Sequence, residues 1–494
     1  MQLLPAIDDI QRIADEGSYN IVPVYAELLG DFDTPTAIYS RLRSDNYAFL
    51  LESITGGENL ARYSFIGYNP SRVIRITGNK VTVDENGSVA SFEHADPLSY
   101  VNERLLSYRG VPVEGLPPFY GGAVGFFSYD AVRYIERIPD NNPRGFECPD
   151  VFYVFTDKII VFDHIENRIH VLYNILLDGT PVEALYEQAK AHIASMISAI
   201  NAPAPLMKRD IAPAKEITYS SNYTKDSFCA MVERAKEYIR CGDIFQVVLS
   251  QRFTVPAKGI DPLNIYRALR LINPSPYMFS LKFGGIEIIG SSPEILVKQA
   301  DGRVSVRPIA GTRKRGANAA EDEALAKELL ADTKEMAEHL MLVDLGRNDV
   351  GRVSEYGSVS VTERNIIERY AHVMHIVSNV EGALAKGKTN IDVLKSAFPA
   401  GTVSGAPKVR AMEIIDELET VRRGPYAGCV GYFSFSGNMD TGIMIRTIYV
   451  AGDEIHIQAG AGIVYDSVPE KEYEETINKA KSLMKALELA ASLS

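Results

Sequence analysis

Tryptophan is missing from all 494 residues, although the chain carries 26 tyrosines and 19 phenylalanines. Taken alone, that absence excludes nothing. Cysteine is scarce. Cys148, Cys229, Cys241 and Cys429 are scattered without C-x-x-C spacing, which argues against a disulfide framework or a cysteine zinc site and for a reducing compartment. No window approaches the length of an apolar membrane span. The N-terminal MQLLPAIDDIQRIADEG has acids where a signal peptide needs bases. A cytoplasmic protein is expected. Positive charge is in deficit, with 51 Lys and Arg against 64 Asp and Glu and a net charge of −13. That balance argues against a nucleic-acid partner held by phosphate contacts. It leaves a small anionic substrate open, because a metal or a few placed arginines can reverse the local field.

What is present is an ordinary globular composition, 46% hydrophobic and 23% charged. The clearest seam is residues 199–217, AINAPAPLMKRDIAPAKEI, which is rich in Ala and Pro and lacks apolar periodicity. It predicts an N-terminal domain over 1–200, a linker over 201–217 and a second domain over 218–494. Before the seam, helices are expected near 6–16 and 181–200. Strands are expected at 47–53, 73–77 and 81–84, with a turn at Asn86-Gly87 and a hairpin over 151–175. In 47–53, Phe49, Leu51 and Ser53 share one face, and Leu50 and Glu52 the other. After the seam, helices are expected at 224–241, 319–345, 389–397 and 406–418, with a last one starting at Pro469. Strands are expected at 244–253, 285–298, 428–435, 442–450 and 454–459. The segment YGGAVGFFSY from Tyr120 resembles YAGCVGYFSF from Tyr426, which suggests a structural pseudo-repeat whose glycines let two sheets approach. The fold class expected is α+β, with antiparallel sheets and helices packed outside.

Glu472, Glu475 and Lys479 fall on one helical stripe, and Glu335 and Glu338 repeat the spacing upstream. Four carboxylates on two helices, with no cysteine pair nearby, suggest oxygen ligation of Mg²⁺. A solvated surface face is the alternative. Gly460-Ala461-Gly462 ends a strand, where bare backbone amides could cradle a carboxylate or simply form a tight turn. Gly401-Thr-Val-Ser-Gly-Ala-Pro-Lys408 lacks the Gly-Lys-Ser/Thr ending of a phosphate loop, and no G-x-G-x-x-G opens a helix. His372 and His375 flank a strand or turn, and His375 is a candidate for proton transfer. Arg446 falls within an apolar strand, where its planar fork suits a substrate carboxylate.

The stretches PIAGTRKRG, EMAEHLMLVDLGRND, RYAHVMHIVSNVEG, FPAGTVSGAPKVRAMEII and IQAGAGIVYDSVPEKEYEETINKA, with LLESITGGENLARYSFIG near the N-terminus, carry a family resemblance. The chain resembles the chorismate-utilising enzymes over nearly its whole length, in their anthranilate synthase component I branch. The resemblance implies a two-lobed fold and a Mg²⁺-dependent lyase of tryptophan biosynthesis, turning chorismate and ammonia into anthranilate and pyruvate. Glu338 and Glu475 would ligate the metal, with Glu335 and Glu472 nearby. Tyr426, Arg446 and the amides of Gly460, Ala461 and Gly462 would hold the enolpyruvyl side. Gly311 and Thr312 would line the ring pocket, and Lys479 would contact substrate. Glu294 would be the general acid at the C4 hydroxyl, assisted by His375 and Thr402.

Two positions separate the relatives. Ala310 stands where aminodeoxychorismate synthases carry a nucleophilic lysine, and Gln246 where isochorismate synthases carry a water-activating one. Both point to direct attack by ammonia. No glutaminase segment is recognisable, so the resemblance implies a separate glutamine amidotransferase subunit and a heterotetramer of two large and two small chains. It also implies feedback by L-tryptophan at Glu52, Ser53, Pro276, Tyr277 and Met278. A chain free of tryptophan remains translatable when tryptophan is scarce, which suits that role.

Overall fold

The computed structural model describes residues 2–44, 46–54, 62–203, 216–370 and 373–493. Most of the expected linker, 204–215, lies outside the described residues, and so does His372.

Among the described residues, two antiparallel sheets of twelve strands each form the centre. The first runs from Ile21–Leu29 through Arg168–Leu176, Lys158–Asp163, Tyr63–Tyr68 and Tyr47–Glu52. It continues through Tyr277–Phe283, Ile286–Ser292, Thr447–Ala451 and Glu454–Ile463 to Gln246–Pro256, on which the two-residue strands Ser220–Ser221 and Gly405–Ala406 both pair. The second runs from Ile309–Lys314 through Val373–Ala383, Arg303–Val306, Ile295–Ala300, Met439–Ile443 and Cys429–Ser434. It ends through Gly122–Phe127, Val151–Thr156, Arg72–Thr77 and Lys80–Glu85 at Ser88–Glu93, with Ser360–Arg369 pairing off this path on Val373–Ala383. Each sheet takes strands from both sides of the expected linker.

Alternation along the strands explains the layering. Phe49, Phe65, Val161 and Phe279 of the first sheet meet Val124, Phe126, Phe152 and Val430 of the second in a common core between the sheets. Leu50, Ile66 and Ile160 point the other way, toward helices Ile7–Glu16, Pro35–Leu42, Val182–Ile200 and Pro262–Ile272. The outer face of the second sheet is covered by Pro97–Leu106, Asn390–Ala397 and Thr333–Gly351, and Lys408–Leu418 packs on Gln246–Pro256 of the first. The result is helix, sheet, sheet, helix, as the α+β expectation required. The opposite faces predicted for Phe49 and Leu50 are observed. No helix among the described residues is long and apolar enough to cross a membrane, and the four cysteines are free.

Three expectations need correction. The helix expected over 319–345 is two helices, Ala319–Ala331 and Thr333–Gly351. Asp332 breaks it by taking an extended conformation, and its carboxylate caps the second helix, accepting from the Lys334 and Glu335 amides at 3.0 and 3.2 Å. The hairpin expected over 151–175 and the strands expected over 285–298 and 442–450 each change sheets midway. Val151–Thr156 lies in the second sheet and Lys158–Asp163 in the first. Ile286–Ser292 and Ile295–Ala300 are split in the same way, as are Thr447–Ala451 and Met439–Ile443. Strands buried on both faces read as continuous apolar runs, so the change of sheet leaves no break in their pattern. Third, the two echoing segments are neighbours within one sheet, Cys429 opposite Phe127 and Ser434 opposite Gly122. Their glycines admit adjacent strands of that sheet: a Cβ on Gly122 would strike the Phe433 carbonyl, and one on Gly431 the Asp440 carbonyl.

Asn86 and Gly87 form the expected turn, both with positive φ, 51° and 88°.

Candidate active site

The site begins where strands leave one sheet for the other. Ile286–Ser292 ends at Pro293, which cannot donate to a ladder, and Glu294 follows in the gap before Ile295. On the neighbouring strand, Arg446 occupies the corresponding gap with φ 50°. Arg446 therefore sits at a break in its strand, not within one as its apolar flanks suggested. Such strained positions are tolerated where surrounding structure holds them.

These two residues face a cavity of about 510 Å³. Thr402, Tyr426, Gly460 and Gly462 line it with them. The helix Pro469–Leu493 presents Glu472, Glu475 and Lys479 to it, and Thr333–Gly351 presents Glu338. The predicted helical stripe is thus a cavity wall. Both acidic pairs lie in the opening turns of their helices, where the helix dipole eases the crowding of negative charge.

Burial pushes the Glu294 carboxyl up to about 7; the Thr402 hydroxyl and the Lys479 ammonium pull against it. The Thr402 hydroxyl is itself buried without a full hydrogen bond among the described residues. A carboxyl held near neutrality in a cavity is suited to give up a proton at ordinary pH. Glu338 is also raised, by burial and then by the charges of Glu335 and Glu475. Glu472 is raised by burial, with Glu475 adding to it. Lys479 bridges this acidic wall to the sheet, 2.7 Å from Glu475 and donating to the Gly460 carbonyl at 2.9 Å.

Pairing of Glu454–Ile463 with Thr447–Ala451 stops at Ile457, which leaves one edge of the strand open beside the cavity. Gly460 and Gly462 face inward. A Cβ on Gly460 would lie 2.5 Å from the Tyr426 hydroxyl, and one on Gly462 would lie 2.6 Å from the Gln246 amide nitrogen. Ala461 points its methyl away, into the core, as the period of a strand dictates.

A second group adjoins the cavity without lining it. His375 Nδ1 lies 2.9 Å from the Gly311 carbonyl and 3.1 Å from Thr312 Oγ1. Glu335 stands beside Gly311 and pairs with Arg313 at 3.4 Å. Burial lowers the His375 pKa; the Gly311 contact and Glu368 oppose this, and the nearby Arg446 charge adds to it. Ala310, buried in the same strand, carries no nucleophile.

Several wall residues were not foreseen. Gln458, Lys334 and Lys471 line the cavity. Behind Tyr426 lies the buried pair Arg423 and Glu419. No pattern marked them, because a buried ion pair in a loop reads like any exposed one.

Among the described residues, no three His, Cys, Asp or Glu side chains are grouped closely enough to hold a metal ion by themselves. The donor set still fits a hard cation. Glu338, Glu472 and Glu475 share one wall, where burial first and mutual charge second raise the pKa of Glu338 and Glu472, and they have Lys479 as neighbouring countercharge.

A separate cavity of about 180 Å³ lies between the sheets. It brings together Glu52 and Ser53 with Pro276, Tyr277 and Met278, because Tyr47–Glu52 pairs with Tyr277–Phe283 and sets Glu52 opposite Met278. The Ser53 hydroxyl is buried without a partner among the described residues. The Glu52 carboxylate is committed to Ser64, Tyr266 and Arg270. Tyr277 donates to Asp440 at 2.8 Å.

Residues 35–485 match the family of chorismate binding enzymes. Anthranilate synthase component 1 of Acetivibrio thermocellus is 49% identical over 499 residues, covering 99% of each chain. That of Aquifex aeolicus is 49% identical over 492 residues, again covering 99% of each. The crystal structure of anthranilate synthase component I from Streptococcus pneumoniae superposes with a TM-score of 0.77 at 40% identity, over 92% of this chain and 99% of that one. The menaquinone-specific isochorismate synthase of Escherichia coli, 19% identical with a TM-score of 0.70 over 98% of this chain and 99% of that one, shares the fold. With matches of this extent and identity, the chain belongs to the chorismate-binding enzyme family, and within it to the group of anthranilate synthase component 1 proteins.

Proposed function

We propose that the chain converts chorismate and ammonia to anthranilate and pyruvate, with Mg²⁺, in tryptophan biosynthesis. The observation that carries this reading is the cavity's division of labour. It combines an acidic wall of Glu338, Glu472 and Glu475, a cationic end at Arg446 beside Tyr426 and Gly460, and a buried Glu294 poised near neutrality. A dicarboxylate with a leaving hydroxyl suits such a set.

Arg446 and the Gly460 and Gly462 edge would bind the enolpyruvyl carboxylate. The ring carboxylate would reach the acidic wall through Mg²⁺ held by Glu338 and Glu475. Bound there, the metal would neutralise that carboxylate and draw charge from the ring. Glu294, protonated, would donate to the departing C4 hydroxyl, with Thr402 and His375 at the same end. Gln246 lines the cavity where a lysine would activate water, and its neutral amide leaves attack at C2 to ammonia.

Ammonia would come from glutamine through a separate amidotransferase subunit. The relatives' name, component 1, presupposes a second component. A heterotetramer of two large and two small chains in the cytoplasm is the assembly we propose. L-Tryptophan would occupy the 180 Å³ cavity as feedback inhibitor, and its binding would be allosteric to the extent that it is energetically coupled to chorismate binding.

The test is product analysis of the purified chain with chorismate, Mg²⁺ and ammonium at a pH that supplies free ammonia. Equal amounts of anthranilate and pyruvate are expected. An aminated product without pyruvate would move the assignment to a sibling activity, and no turnover would leave a chorismate or tryptophan sensor.

A further inference from the structure

Arg423 is among the largest fully buried side chains of the molecule, 2% exposed. Its fork meets Glu419 twice, Nε donating to Oε2 at 3.0 Å and Nη2 to Oε1 at 2.6 Å. Nη1 donates to the Val403 carbonyl at 2.7 Å and Nη2 to the Val248 carbonyl at 2.6 Å. The guanidinium also lies 5.5 Å from the Tyr426 ring centre and 4.8 Å from that of Tyr129.

A buried ion pair is poor evidence of stabilisation, since well-packed apolar residues often do as well or better. The partners of this one are informative. Val248 belongs to the strand Gln246–Pro256, and Val403 follows Thr402; both line the 510 Å³ cavity, as does Tyr426. Glu419 accepts from the Ser250 amide and hydroxyl at 2.9 and 2.8 Å, and that hydroxyl accepts from Gln458 at 2.8 Å. Gln458 is another wall residue. One planar fork therefore gathers wall segments that are far apart in the chain.

We propose that Arg423 is a positioning residue for the substrate end of this cavity, holding Tyr426 over Gly460 and in register with Thr402 and Gln458. The proposal rests on the reading of the cavity as the chorismate site. A lysine keeps the charge but cannot span Glu419, Val403 and Val248 at once. The Arg423 cation also pulls down the Tyr426 pKa, which burial pushes up to about 12.

The experiment measures kcat, KM for chorismate and Tm, first for the unsubstituted chain with ammonium and Mg²⁺. Absence of turnover there defeats the functional reading before any variant is made. Arg423→Met should lower Tm, because it leaves Glu419 buried and unpaired. The double variant Arg423→Met, Glu419→Met should regain Tm, yet keep a KM raised about tenfold through a misplaced hydrogen bond to substrate. Tyr426→Phe should raise KM alone and add nothing further on that background, since the two residues act as one unit. A double variant with the original KM, or a Tyr426→Phe effect that adds in full, overturns the proposal. Should the double variant fail to fold, Arg423→Lys decides: a raised KM supports the proposal and an unchanged KM refutes it.

Discussion

The Glu294 carbonyl accepts a hydrogen bond from the Ile443 amide at 2.9 Å. That bond spans two neighbouring strands at the point where both leave one sheet for the other. Just beyond it, the Ser291 amide donates to the Arg446 carbonyl at 3.1 Å. The pair of bonds holds the acid and the arginine at one level, though the two residues are far apart in the chain.

Glu294 should govern the pH dependence of turnover. Its pKa is raised from 4.5 to about 7 by burial. As a proton donor it is active below that value, so kcat should fall as pH rises through about 7. Glu294→Gln should remove this limb and lower kcat by about 10²-fold or more. The stability sign follows from the same shift. The folded state holds the proton more tightly than the unfolded chain, so this contribution is complete below pH 4.5 and is lost as pH rises through about 7. Thermal melts of Glu294→Gln against the original across that window should lack that slope.

Removal of divalent cation with a chelator should abolish conversion of chorismate, and added Mg²⁺ should restore it. Glu338→Gln and Glu475→Gln should each raise the Mg²⁺ concentration needed for half-maximal rate by about 10- to 100-fold. Titration of activity against free Mg²⁺ is the check, and an unchanged requirement would remove these two residues from the metal site.

The cavity between the sheets offers a separate test. Its volume of about 180 Å³ leaves little room for a larger residue at Ser53. Ser53→Phe should therefore abolish the effect of L-tryptophan on turnover, seen as a flat inhibition curve and no heat of binding in calorimetry. Tight inhibition retained in this variant would place the effector elsewhere.

Gly431 should tolerate no side chain. A Cβ there would collide with the Asp440 backbone carbonyl, which cannot swing aside as a side chain could. Gly431→Ala should cost about 1–3 kcal/mol by overpacking, read as a lowered denaturation midpoint. Gly351, whose Cβ would meet nothing within 4 Å and whose φ is not positive, is the control, and Gly351→Ala should leave the midpoint nearly unchanged.

Local patterns in the chain already determined much of this protein. The Phe49 and Leu50 alternation, the Asn86-Gly87 turn, the helix starting at Pro469 and the stripe of Glu472, Glu475 and Lys479 depend on neighbours a few residues apart, and sequence reports such neighbours directly. The family resemblance named the remaining site residues by motif. Tertiary structure decided what local pattern cannot carry. Strands buried on both faces show no mark where they change sheets, so the breaks at Glu294 and Arg446 appear only when their pairing partners are known. Ser53 meets Tyr277 only through strand pairing across the expected linker. Arg423 becomes a buried tie, and not a surface charge, only because Glu419, Val248 and Val403 close around it. An Arg in a loop has no period to reveal its burial; much of its environment is made by segments far away in the chain, such as Val248, and only folding brings them together.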